Sequence, residues 1–144
     1  MPSIVAKLLA FVMIAYVAAG SAQAQDVTEA DKTRFQSVIS SQIEAFRDDD
    51  GALAFSFAAP SIKGKFQSVE TFMTMVRRGY RPVYRPRTVK FGTVTDELGV
   101  PTQTVHIIGP NGAAWTALYA MERQPDGTWK ISAVILRKEE GAGA

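Results

Sequence analysis

The sequence has no cysteine and a single histidine, His106. The first absence excludes disulfide staples, thiol nucleophiles and thiolate metal sites, and the second excludes a multi-histidine zinc site. Stability must come from packing. Charge of one sign is also missing. Sixteen Lys and Arg stand against 14 Asp and Glu, for a net charge of +2, which gives no argument for a nucleic-acid partner. There is no glycine-rich phosphate loop, and no motif calls for a cofactor. Asp48, Asp49 and Asp50 do not alternate as calcium ligands do, so they read as helix caps and a solvated loop. No run after the first 24 residues is long and apolar enough to span a membrane.

The N-terminus carries an export pattern. Lys7 supplies a positive start, Leu8 to Ala19 is uninterrupted apolar sequence, and Ala22-Gln23-Ala24 fits the small-x-small rule of signal peptidase. The run falls short of the roughly 20 residues of a spanning helix. A signal peptide over residues 1–24 is therefore expected, cut between Ala24 and Gln25. The product would be a soluble periplasmic or extracellular domain over 25–138, with a disordered tail over 139–144.

Within that domain, Thr28 and Asp31 form a capping box. Phe35, Val38, Ile39, Ile43 and Phe46 recur at helical spacing, which predicts a helix over 29–47. A second short helix is expected to begin near Ala52 and stop before Pro60, and a third is expected to be capped by Ser68 and to end at Gly79. Tyr80 to Arg87, with prolines at 82 and 86, reads as extended. Four strands follow, over 88–95, 100–109, 113–124 and 128–138. Pro110-Asn111-Gly112 and Pro125-Asp126-Gly127 suit three-residue hairpin loops. The expected fold class is α+β, with N-terminal helices packed on a curved four-stranded antiparallel sheet.

Three-residue loops fix the register. Gln103 then faces Tyr119, Val105 faces Ala117, and Ile107 faces Trp115. Met121 faces Ile131, Tyr119 faces Ala133, and Ala117 faces Ile135. One face of the sheet, carrying Trp115, Tyr119, Trp129, Ile131 and Ile135, should pack on Phe35, Ile39, Phe46 and Phe72. The other is mostly polar, with Thr102, Thr104, His106, Thr116, Glu122 and Lys130. Leu118, Val134 and Leu136 form an apolar stripe there that a homodimer partner could cover.

Several blocks carry a resemblance: Gln42–Phe46, Asp49-Asp50, Ala54–Pro60, Phe72–Val76, Tyr80–Val83 and Gly127–Ile131. Over about residues 30–137 the chain resembles a family of exported proteobacterial proteins known as domain of unknown function 4864. More broadly, the order of elements resembles the nuclear-transport-factor-like, or cystatin-like, α+β cone. The family implies no activity. The cone hosts enzymes, ligand binders and assembly modules alike, and its enzymes typically use an Asp or His inside the pocket.

Candidate functional residues fall in two groups. Gln103, Trp115, Tyr119 and Arg137 are polar or aromatic side chains assigned to the helix-facing side, where a buried polar group needs a partner and a pocket ligand could supply one. Arg77, Arg78, Arg81, Arg85, Arg87 and Lys90 form a basic strip, with no acid between Glu70 and Asp96. Such a strip suits anionic headgroups, glycans or an acidic partner, or protects a sheet edge. His106 falls on the polar face, away from any pocket, so no catalytic residue is assigned. The leading expectation is a non-catalytic module for a small apolar ligand or a protein partner. The alternatives are a cone-fold isomerase or hydrolase using a pocket carboxylate, and a binder of anionic surfaces through residues 77–90.

Overall fold

The structure is a computed structural model that describes residues 27–140. The expected signal peptide and cleavage site, and the last four residues of the expected tail, lie outside the described residues. Among the described residues five helices precede four strands: α1 (Glu29–Arg47), α2 (Gly51–Ser56), α3 (Pro60–Phe66), α4 (Val69–Gly79), α5 (Arg81–Tyr84), β1 (Thr88–Thr95), β2 (Thr102–Ile108), β3 (Ala114–Arg123) and β4 (Trp129–Lys138). The strands form an antiparallel meander in the order β1-β2-β3-β4. The fold is α+β, with helices on one face of an open sheet. Among the described residues no helix is long and apolar enough to cross a membrane.

The expected caps are present. The Asp31 amide donates to Thr28 Oγ1 at 3.0 Å, and the Thr28 amide donates to Asp31 Oδ2 at 3.1 Å. Asp50 Oδ1 accepts from the Leu53 amide and starts α2. Asp31 has a second task that the sequence did not reveal. It is buried, and Trp129 Nε1 donates to its Oδ1 at 3.3 Å, tying the start of α1 to β4. The Thr28 amide, with the Thr28 hydroxyl and Trp129 indole adding, holds the Asp31 carboxyl below its usual range. A depressed folded-state value means that its stabilisation is present above the unfolded value near pH ~3.9 and is lost as pH falls through the folded value. Asp31→Ala should therefore cost about 1–2 kcal/mol near neutral pH, and less at about pH 3. Urea midpoints at the two pH values check this. An equal cost at both would show that the carboxylate charge is irrelevant.

Two segments depart from expectation. Residues 60–66 form a helix that was not anticipated. Pro60 sits in its first turn, where a missing N–H costs nothing and the fixed φ suits the helix. Residues 81–84 are not extended but make one helical turn, with Pro82 near its start for the same reason. Pro86 follows, and the turn ends at Arg85.

The hairpin loops close as expected. Gly109 and Gln124 donate to the carbonyls of Ala113 and Thr128, at 2.8 and 2.7 Å. Gly112 and Gly127 supply the positive φ of +88° and +87° that these loops require. The β2–β3 register is the expected one throughout, including His106 opposite Thr116. On β4 the register holds for Met121–Ile131 and Glu122–Lys130, then shifts at a bulge after Ile131. Lys130 does stand opposite Glu122, but its ammonium donates to the Ser56 carbonyl at 2.6 Å.

The extra residue moves everything beyond it to the opposite face. Tyr119 faces Val134 rather than Ala133, and Ala117 faces Leu136 rather than Ile135. Val134 and Leu136 thus join the core, while Ile135 is 40% exposed. The outer face is also less solvated than expected, since Thr102 and Leu118 are buried.

The core has two parts. Phe35, Ile39 and Ile43 of α1 pack on Val105, Tyr119, Trp129 and Ile131 of the sheet. Phe46 and Phe72, which were expected on the sheet, instead pack with Ala54, Met73 and Val76 in a helix-only cluster. They point there because Gln42, Ala45 and Phe46 occupy the side of α1 that meets α2 and α4. Beyond Lys138, the Glu139 amide still donates to the Ala114 carbonyl at 2.9 Å, so the pairing continues into the expected tail.

Candidate functional site

A cleft of about 530 Å³ lies at the seam between the two core clusters. Its helical wall comes from Phe46 of α1, Phe72, Met75 and Val76 of α4, and Tyr80 and Val83 beyond it. Ser61, Ile62, Lys65 and Phe66 of α3 line another side. Their i, i+1, i+4, i+5 spacing puts them on one helical face. The last wall is the run Ile131 to Val134 at the β4 bulge. Four consecutive strand residues can line one cleft because the bulge bends an edge strand.

The edge is bridged to the segment before α3. The Ala59 amide donates to the Ile131 carbonyl at 2.8 Å, and the Ile131 amide donates to the Phe57 carbonyl at 2.9 Å. This short parallel bridge anchors the approach to α3 against β4. Polar groups are few. Gln42 is buried, and its Nε2 is used by the Ala54 carbonyl at 3.1 Å. The one charged side chain is Lys65, and among the described residues no Asp, Glu or His lines the cleft.

None of the four predicted pocket residues lines it. Gln103 and Tyr119 face each other in register but are sealed in the core, both at 0% exposure. Gln103 Nε2 donates to the Gly92 and Thr104 carbonyls, each at 2.9 Å. Gln103 Oε1 and the Tyr119 hydroxyl have no protein partner among the described residues. Burial alone pushes the Tyr119 ionisation upward. Because the hydroxyl bonds to no protein group, Tyr119→Phe should change stability by less than about 1 kcal/mol. A loss above about 2 kcal/mol in chemical denaturation would mean that the hydroxyl is bonded in solution.

Arg137 is on the other face, a direct result of the bulge. It stands opposite Thr116, not Trp115, and pairs with Glu97 at 3.2 Å. Trp115 is half-buried against the sheet core and lines a second groove, which shares no lining residue with the cleft.

The basic residues occupy different surroundings, because they fall on a helix end, a helical turn and the first strand. Arg85 is structural: it stacks on Tyr84, with Cζ 4.1 Å from the ring centroid, pairs with Asp49 at 3.1 Å, and donates to the Phe46 carbonyl. Tyr84 donates to Asp49 as well, and this bond leads the interactions that hold the Asp49 carboxyl below its usual range. Arg77 lies over the same Tyr84 ring, at 5.9 Å. Arg78 and Arg81 face the second groove, Arg87 lies beside Gly112, and Lys90 stands opposite His106. His106 is exposed, with its ring against Gly92 and away from the cleft.

The cleft was not found from the sequence. Its signals were the Pro60 helix start and the α3 spacing, while the β4 bulge has no comparable mark. The profile of a family described as domain of unknown function (DUF4864) matches residues 28–144. The chain belongs to that family. The match spans every element from the α1 cap onward, including all walls of the cleft. No curated protein and no solved structure matches the chain.

Proposed function

We propose that this member of the DUF4864 family is an exported, non-catalytic module that holds a small apolar ligand in the cleft between the helices and β4. The observation that carries the reading is the cleft lining: mostly aromatic and aliphatic, with Lys65 the one charged side chain and no carboxylate or imidazole among its described residues. General acid–base chemistry needs a titratable group within reach of the reacting atoms, so the cleft offers less to the pocket-carboxylate alternative. Its volume falls in the range of small-ligand pockets, roughly 300–1,000 Å³. The export reading rests on residues 1–24, with cleavage between Ala24 and Gln25. The helices-then-strands order resembles that of the cystatin-like cone, which would put a pocket between helices and sheet.

Titration of purified protein with Nile red, a neutral apolar dye, tests the reading. Saturable one-to-one binding in the micromolar range is expected. Absence of saturable binding by this dye and by a panel of neutral aliphatic and aromatic compounds would overturn it.

A further inference from the structure

The second groove, also about 530 Å³, runs between the α4–α5 junction and the β2–β3 hairpin. It is separate from the apolar cleft in both lining and chemistry. Arg78 and Arg81 line one side, Asn111 and Trp115 the other, with Pro82 and Pro110 as apolar rails. The junction of α4 and the turn at 81–84 builds this side, and Arg78 and Arg81, on either side of Tyr80, are both exposed.

The charge here has no internal use. Lys32, Arg47, Arg85 and Arg137 each have a carboxylate partner, whereas Arg78 and Arg81 have none among the described residues. No acidic side chain lines the groove. Outside the groove's lining, Lys138 holds its Nζ 6.0 Å from the Trp115 ring centroid. Asn111 spends its Oδ1 on the Ala113 amide at 3.2 Å, so its side-chain NH₂ remains a donor. The hairpin holding Asn111 and Trp115 is fixed by the Gly109–Ala113 and Gly112–Gly109 bonds.

We infer that this groove is an anion site for a ring-bearing acid, such as a sugar carboxylate or sugar phosphate. The two guanidiniums would take the acid group and Trp115 the apolar side of the ring. Guanidinium matches carboxylate and phosphate geometry in two-point contacts, while indole and proline offer flat apolar surface. A membrane surface fits less well, because Arg78 and Arg81 line a groove shared with Trp115 rather than a flat face.

Trp115 serves as the reporter. The only other tryptophan, Trp129, is buried at the far end of β4, and neither lines the apolar cleft. Titrating trigalacturonate or glucose phosphate into the protein at low salt, with fluorescence and calorimetry, should give saturable quenching by at least one of the two acids. The tighter one identifies the source of the acid group. Added salt should weaken binding, because the arginines are exposed. Arg78→Gln with Arg81→Gln should weaken it by about tenfold or more, with the far-UV spectrum and Nile red binding unchanged. Trp115→Phe should abolish the fluorescence signal while the calorimetric heat persists. Failure of both acids, equal binding of methyl-esterified trigalacturonate, or an unaffected double variant would overturn the assignment. None of these results would bear on the apolar cleft.

Discussion

Replacing Trp129 with alanine should lower the free energy of unfolding by about 3–5 kcal/mol. The indole is 8% exposed and packs edge-on against Phe35, with centroids 4.8 Å apart. Its Nε1 donates to Asp31, and Arg123 lies over the ring at 5.6 Å. Truncation removes a large apolar group from the sheet–helix core, leaves a cavity beside Phe35, and strips a partner from a buried carboxylate. Trp129→Phe keeps most of the volume and should cost clearly less. A denaturation analysis giving under about 1 kcal/mol for the alanine variant would mean that α1 does not dock on β4 as described.

The second large effect concerns the cleft. Ile62 and Met75 are half-buried wall residues on different helices, α3 and α4. Changing both to glutamate would put charge into an apolar enclosure, at positions that pack on the rim of the helix-only cluster without belonging to its buried set. Because a desolvated carboxylate is costly, Nile red affinity should fall at least about tenfold, equivalent to ~1.4 kcal/mol. The thermal midpoint should fall as well, since both residues pack on the helix-only cluster, so affinity is compared at a temperature where the far-UV spectrum shows the variant folded. Unchanged affinity in a folded double variant would move the binding site elsewhere.

Most of the fold was legible because its signals are local. The Thr28–Asp31 box, the helical spacing of Phe35, Ile39 and Ile43, and the two Pro-x-Gly loops each specify geometry within a few residues. The loops propagated that geometry correctly across β2–β3 and into the start of β4. The bulge after Ile131 broke the extrapolation. Ser132 carries no residue-type mark of a bulge, and both alternative registers bury apolar side chains: Val134 and Leu136 in one, Ala133 and Ile135 in the other. That single slip misplaced Arg137.

The prolines misled in the opposite way. Pro60 and Pro82 were read as barriers to helix, whereas each sits in a helical first turn, where proline is well tolerated. The candidate site depended on these same features. Without α3 the cleft has no outer wall, without the bulge no bent strand, and without the turn at 81–84 no paired arginines.

Methyl-resolved NMR of the protein titrated with a neutral apolar ligand tests the central claim most directly, because it reads where the ligand sits. The methyl resonances of Ile62, Met75, Val76 and Val134 should move together and saturate at one equivalent, while those of Leu118 and Ile135 on the outer face stay fixed. Shifts confined to Leu118 and Ile135, with the cleft methyls unmoved, would contradict the account and assign binding to the outer sheet face instead.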